Sequence, residues 1–300
     1  MQKQPFHDPV LLAEVLSLLD PVSGESVLDV TLGLGGHALA FLKKIGQKGS
    51  FVGMEADAEN LLLATNRLSS SPAAVKLIHG NFRDIASFTI DPVDILFADL
   101  GLSSPHIDDA TRGFSFREDA PLDLRFDRTR GLSAAQWLSD ASEASVRSVL
   151  REYGELAQAH QIARSLCAKQ PQTTSGVQQA VEQACGWRAR SVLPQVFQAL
   201  RIAVNDELVA LDTLLSIGPT LLLPGGRMGI ISYHSLEDRR VKQSFRTLVT
   251  PEIDPRTGGI SIPAPFALIT RKPVAPSSEE VSINPRARSA KFRAIRKMRL

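Results

Sequence analysis

The sequence predicts an α/β protein, a parallel sheet covered by helices on both faces and interrupted once by a helical insert. Three observations carry this. Over the first hundred residues, short apolar runs rich in branched side chains alternate with segments whose apolar residues fall three and four apart. Residues 108–205 then show helical spacing without a convincing strand, and a strand signal returns near residue 225.

Element by element, "PVLLAEVLSLL" (9–19) reads as an amphipathic helix ahead of the sheet. "SVLDV" (26–30), "SFVGME" (50–55), "VKLIH" (75–79) and "VDILFAD" (93–99) read as strands bounded by turn formers. "GGHALAFLKKI" (35–45) and "AENLLLATNRL" (58–68) are the helices between them, and such short strand–helix connections favour parallel pairing. Residues 100–131 form a polar stretch too long for an ordinary connection. Helical patterns follow at 133–139, 142–151, 155–168, 174–185 and 193–217. "GGRMGIISYHS" (225–235) is a further strand, 236–248 a helix, and "PFALITRKP" (265–273) a last strand before a basic tail. The predicted domains are residues 1–107 with 206–300, and an insert over 108–205.

Of the 300 residues, 43% are hydrophobic and 22% charged, as in ordinary globular proteins. No apolar run approaches the ~18 residues of a membrane helix, and "MQKQPFHDPV" lacks the apolar core of a signal peptide. Cys167 and Cys185 fall in helical segments, which suits reduced thiols in a cytoplasm and makes no metal site. The net charge of +2 is uneven: residues 271–300 carry nine Lys or Arg against two Glu. A basic tail on a slightly acidic body points to a polyanion, nucleic acid before membrane.

Gly33, Gly35 and Ala38 fit the glycine-rich strand–helix turn of dinucleotide sites, and Glu55 lies 22 residues after Gly33, where a carboxylate would hold ribose hydroxyls. Nicotinamide dinucleotides and S-adenosylmethionine both carry such a ribose, so the turn alone does not choose between them. "HGNF" (79–82) places Asn81 and Phe82 to meet an adenine edge and face, and Asp99 ends the fourth strand at the ligand-binding edge. No hydride-transfer acid or base is evident. An acceptor at Asp99, supported by the hydroxyls of Ser103 and Ser104, instead suits methylation of an exocyclic amine by proximity and a preorganised field.

From "GLSSPHIDDATRGFSFREDAPLDLRFD" (101–127) onward the pattern becomes specific. The chain resembles the bacterial 16S ribosomal RNA cytosine-N4 methyltransferases of the MraW type. The likeness is carried by "HDPVLLAEVL" (7–16), "DVTLGLGGH" (29–37), "HGNF" (79–82), "DLGLSSP" (99–105), "RGFSF" (112–116), "YGE" (153–155), "FQALRIAVNDEL" (197–208), "SYHSLEDRRVK" (232–242) and "NPRARSAKFR" (284–293), in the family's order. The resemblance implies a class I (Rossmann-like) S-adenosylmethionine-dependent methyltransferase sheet with an inserted helical domain for RNA recognition. It implies S-adenosylmethionine as methyl donor. As substrate it implies a decoding-centre cytidine, nucleotide 1402 of 16S rRNA in the small ribosomal subunit, rather than DNA. By motif, Gly35, Gly36, His37, Glu55, Phe82, Asp99 and His106 are the cofactor-side residues. Glu55 stands where the family has Asp, His106 where it has Gln, and Leu124 and Phe126 where it has methionines.

On the substrate side, Arg112, Arg117, Arg125, Arg128 and Arg130 interleave with Phe114, Phe116 and Phe126, a mixture that suits single-stranded RNA. Glu118, Asp119, Asp123 and Asp127 nearly cancel that charge, so an internally paired loop is an equal reading. His234 and Ser235 should emerge near the edge that holds Asp99, His234 either orienting the base, taking its proton or bonding a loop. Glu237 and Asp238 favour the start of the following helix. Arg286, Arg288, Lys291 and Arg293 are the tail cations expected to face RNA. Five tail cations on phosphates would give a salt slope of roughly −3.5. A nicotinamide oxidoreductase, a non-catalytic RNA-binding assembly factor and a DNA cytosine methyltransferase are the rival readings, and monomer and homodimer are both compatible with the chain.

Overall fold

A computed structural model describes residues 9–299; His7 and Asp8 of the first motif, and Leu300, lie outside them. These residues form two compact units, Leu102–Leu208 and the segments that flank it in sequence.

The first unit opens with α1 (Leu12–Leu19), preceded by Leu11 in a left-handed conformation. Then alternate β1 (Ser26–Asp29), α2 (Gly36–Ile45), β2 (Ser50–Glu55), α3 (Ala58–Leu68), β3 (Ala74–His79) and β4 (Val93–Asp99). Asp57 caps α3 by accepting the Glu59 N–H at 2.9 Å. In the second unit α4 (Ser104–Asp108), α5 (Ala134–Asp140), α6 (Glu143–Glu152), α7 (Ala159–Lys169), α8 (Thr174–Cys185) and α9 (Ala189–Asn205) follow. Ser133 and Gln136 form a capping box on α5, and the side chains of Ser142 and Thr173 cap α6 and α8. Leu138, Leu150, Ile162, Leu166, Val181 and Val196 belong to this unit's own core.

The helix expected over 193–217 is two helices, because Asp206 takes a left-handed conformation at φ 51° and ends α9 before α10 (Glu207–Ile217). The chain then runs through β5 (Leu222–Ser232), α11 (Ser235–Leu248), the hairpin β6 (Glu252–Ile253) and β7 (Ile260–Ile262), β8 (Phe266–Leu268), α12 (Ser278–Ile283) and β9 (Lys291–Lys297).

The main sheet has the order β3-β2-β1-β4-β5-β9-β8. Its first five strands are parallel and β9 runs antiparallel to both neighbours. Strand alternation supplies two cores: Val27, Ile95 and Phe97 face one with α1 and α2, while Leu28, Leu96 and Ala98 face the other with α10 and α11. The class I methyltransferase order is thus present, a doubly wound α/β sheet with one antiparallel strand near its edge.

One expectation is corrected here. The last strand is not 265–273, of which only Phe266–Leu268 is a strand, and the basic stretch is not a free tail. "KFRAIRK" enters the sheet between β5 and β8, burying Phe292 and Ala294 on one face and Ile295 on the other. Basic and apolar residues alternate only over 291–294, and the density of charge hides that short period. Among the described residues no helix is long and apolar enough to cross a membrane.

Candidate active site at the sheet edge

In the first unit the carboxyl ends of β1, β2, β4 and β5 bring acidic and hydroxyl side chains together. Thr31 joins two of these ends: its hydroxyl lies 3.3 Å from Asp29 Oδ1 and accepts the Asp99 N–H at 2.6 Å. Asp29 is buried, which pushes its pKa up to about 7 against the opposing effect of the Thr31 N–H.

The glycine turn is held by Glu55. Its Oε2 accepts the Gly33 N–H at 2.6 Å and its Oε1 the Asp57 N–H at 2.9 Å. Burial pushes this carboxyl up to about 7, outweighing those two N–H groups. Gly35 caps α2 in a left-handed conformation at φ 76°. A Cβ on Gly36 would stand 2.6 Å from Pro9 Cγ, so this turn needs glycine for close packing as well as for direction.

His37 lies at the start of α2, buried, with Nε2 3.0 Å from the Val10 carbonyl. A carbonyl only accepts, so Nε2 carries the proton, and Nδ1 faces Asp99 Oδ2 at 3.8 Å. Burial lowers the His37 pKa, opposed by the Asp99 charge, and burial raises that of Asp99. Tyr233, at the end of β5, shares a side-chain hydrogen bond with Asp99. Burial and the nearby carboxylates push the phenol well up, so Tyr233 is the donor. A Cβ on Gly101 would stand 2.7 Å from the Tyr233 ring, so the backbone after β4 lies flat against that ring. Asp99 keeps 22% of its side-chain surface exposed and is the acceptor that this edge presents.

His234 caps α11: its Nδ1 accepts the Glu237 N–H at 3.4 Å, and its Nε2 lies 3.0 Å from Glu237 Oε1. Glu237 returns the contact through the Tyr233 and His234 N–H groups at 2.8 and 3.2 Å. Of the roles considered for His234, the structural one is what these contacts describe. Ser235 is the exposed first residue of α11. Phe82 is half-buried against the core that holds Leu28, Met54 and Ile85, at the head of a short 3-10 turn, and the Asn81 side chain caps that turn at the Arg83 N–H.

The second unit holds the other candidates. Ser103 and Ser104 open α4, half-buried. His106 is buried, with ring centroids 5.2 Å from both Phe114 and Phe126. Arg112 is buried rather than RNA-facing: its guanidinium donates to the carbonyls of Arg125 and Phe126 at 3.3 and 2.9 Å. Arg125 bonds Asp123 bidentately at 2.8 and 2.9 Å, and Arg130 pairs with Asp127 at 2.9 Å. The loop is internally paired, with Arg117 left exposed on it.

Among the basic residues near the chain end, Arg286 and Arg288 are exposed. Lys291 and Arg293 instead bond Asp238 at 3.3 and 2.7 Å. Asp238 therefore holds β9 against α11, a pairing that helix-start composition did not suggest. Tyr233, Asp29 and Thr31 were not singled out in sequence. Each sits inside a motif whose glycines and charges drew the reading, and none has a spacing signal of its own.

The chain matches the MraW methylase family over residues 4–298. It is 43% identical over 316 residues to the Ribosomal RNA small subunit methyltransferase H of Syntrophotalea carbinolica, covering 99% of this chain and 100% of the relative. Proteins of the same name are 41% identical in Myxococcus xanthus, covering 98% of each chain, and 39% identical in Heliobacterium modesticaldum, covering 98% of this chain and 99% of that one.

Proposed function

The chain belongs to the MraW methylase family, and from that premise we propose that it methylates the N4 amine of a decoding-centre cytidine in 16S rRNA of the small ribosomal subunit. S-adenosylmethionine is the methyl donor, supplying a sulfonium methyl to an attacking nitrogen. The observation that supports this most is Asp99, a partly exposed acceptor at the carboxyl end of β4, fixed by Thr31 and Tyr233.

The residues present fit the donor. Glycines at 35 and 36 leave the turn without side chains, and Glu55 offers a buried carboxylate whose oxygens each hold one N–H and keep a lone pair for a ribose hydroxyl. Asn81 and the half-buried Phe82 are assigned to an adenine edge and face, and His37 positions the turn through Val10. Asp99 accepts an N–H of the target amine and so turns the nitrogen lone pair toward the methyl group. The nitrogen loses one proton as it gains carbon, and Asp99 or water takes it. The cytosine is unstacked from its neighbours to reach this depth. The hydroxyls of Ser103 and Ser104 are assigned to support of the acceptor, and His106 by motif to the cofactor side. Residues 1–107 and 206–300 are assigned to catalysis, and residues 108–205 to RNA recognition.

The test is methyl transfer from labelled S-adenosylmethionine to small subunits lacking the modification, with nucleoside analysis of the digested rRNA. N4-methylcytidine at one position is the expected product. Label in another nucleoside, or none while S-adenosylhomocysteine binds, refutes the reading.

A further inference from the structure

In the loop over 112–131, where sequence suggested RNA contacts, Asp123 and Asp127 take the guanidinium groups of Arg125, Arg128 and Arg130. Residues 183–205 of the same helical unit differ, holding Arg188, Arg190 and Arg201 and no acid. Arg201 bonds Glu207 bidentately at 2.8 and 2.9 Å. Arg188 and Arg190 are exposed and have no carboxylate partner among the described residues.

Trp187 precedes them on a 3-10 turn, Gly186–Arg188, that joins α8 to α9. Its indole is 87% exposed, the most of any large apolar side chain described. The Arg188 guanidinium lies 4.9 Å from the ring centroid, so a cation steadies the indole while most of its surface stays open. Gly186, at φ 54°, ends α8, and a Cβ built there would meet nothing within 4 Å. An open indole beside two uncompensated guanidinium groups matches single-stranded nucleic acid, whose bases stack on rings while its phosphates meet cations. An apolar protein surface would leave both charges without partners.

We infer that Trp187, with Arg188 and Arg190, is a stacking site for an unpaired base of the RNA substrate, the two cations meeting adjacent phosphates. The inference rests on the rRNA reading above and gives the helical unit an RNA contact that its internally paired loop does not supply.

The chain has two tryptophans, and Trp137 is half-buried against the helical core, so Trp137→Phe leaves Trp187 as the sole indole emitter. Single-stranded oligouridylate titrated into that variant quenches the emission, whereas duplex RNA at equal phosphate concentration does not. Trp187→Ala weakens oligonucleotide binding about fivefold to 100-fold, the effect of one stacked base. Trp187→Phe recovers most of it, and S-adenosylhomocysteine binding is unchanged in both. Replacing Arg188 and Arg190 by Gln makes the salt slope shallower by about 1.4.

Unquenched emission together with wild-type affinity in Trp187→Ala overturns the proposal. Equal quenching by duplex also overturns it, and so does quenching that grows with protein concentration in the absence of RNA. Quenching and weakened binding as described, in a protein that transfers no methyl group to small subunits, supports the stacking site and refutes the proposed function.

Discussion

Glu55→Gln probes the glycine turn through a change of sign with pH. In the wild type, burial raises this carboxyl from 4.5 to about 7. A carboxyl whose pKa rises on folding stabilises the folded state fully below its unfolded value, and that contribution is lost as the pH climbs through the folded value. Between pH 4.5 and about 7 the wild type therefore loses about 3 kcal/mol through this group, at 1.36 kcal/mol per pH unit. The glutamine does not titrate. Its amide oxygen accepts one of the two N–H groups now held by Glu55, and its NH2 opposes the other, a cost of about 1–3 kcal/mol at any pH. The variant is thus less stable than the wild type at pH 5, and its deficit vanishes or inverts at pH 8. Asp29 titrates in the same range, and because the Glu55 charge helps to raise its pKa, its own loss of stability with pH is smaller in the variant and adds to the same trend. Urea unfolding of both proteins at the two pH values measures this. A deficit that stays constant or widens toward pH 8 refutes the reasoning. Ribose hydroxyls bond the ionised carboxylate, so S-adenosylhomocysteine should bind the wild type more tightly as pH rises toward about 7. The variant's affinity should be weaker by about 1.5–3 kcal/mol and flat with pH by calorimetry.

Asp99→Ala should abolish methyl transfer in the labelled-subunit assay, and retained turnover would remove Asp99 from amine orientation. Tyr233→Phe loses one neutral donor to Asp99, so kcat should fall roughly threefold to tenfold with little change in the KM for the methyl donor. Arg227 bonds Glu25 at 2.6 and 2.8 Å and donates to the Leu19 and Asp20 carbonyls at the end of α1, so Arg227→Ala should cost about 3–5 kcal/mol in urea unfolding. Replacing Arg286 and Arg288 by Gln should make the salt slope of subunit binding shallower by about 1.4. Lys291→Gln should leave that slope nearly unchanged and instead lower the unfolding midpoint, because Lys291 bonds Asp238.

The parallel half of the sheet was legible because β1, β2, β4 and β5 bury residues on both faces and so read as apolar runs between turn formers. The edge strand β3, exposed or half-buried throughout, was legible from its branched residues. β2, β4 and α3 occur at the predicted bounds. The break between α9 and α10 was not legible: the apolar spacing continues across Asp206, and only its left-handed backbone ends the helix. β9 was misread for a related reason. A strand that mixes basic and apolar residues has the composition of a solvated tail, and its pairing with β5 places it in the sheet.

By itself the sequence determined the α/β class, the glycine turn with its downstream carboxylate, and the family, because periodicity and ordered motifs are local properties of a chain. The partners of each charge belong to the tertiary structure. Asp238 holds Lys291 and Arg293 from 53 and 55 residues away, and Arg112 turns inward to two carbonyls. Tyr233 reaches Asp99 across two neighbouring strands, and Trp187 is left open beside its arginines. Charge pairing and burial depend on distances through space between residues far apart in sequence, and folding decides which cations are spent inside the protein and which remain for RNA.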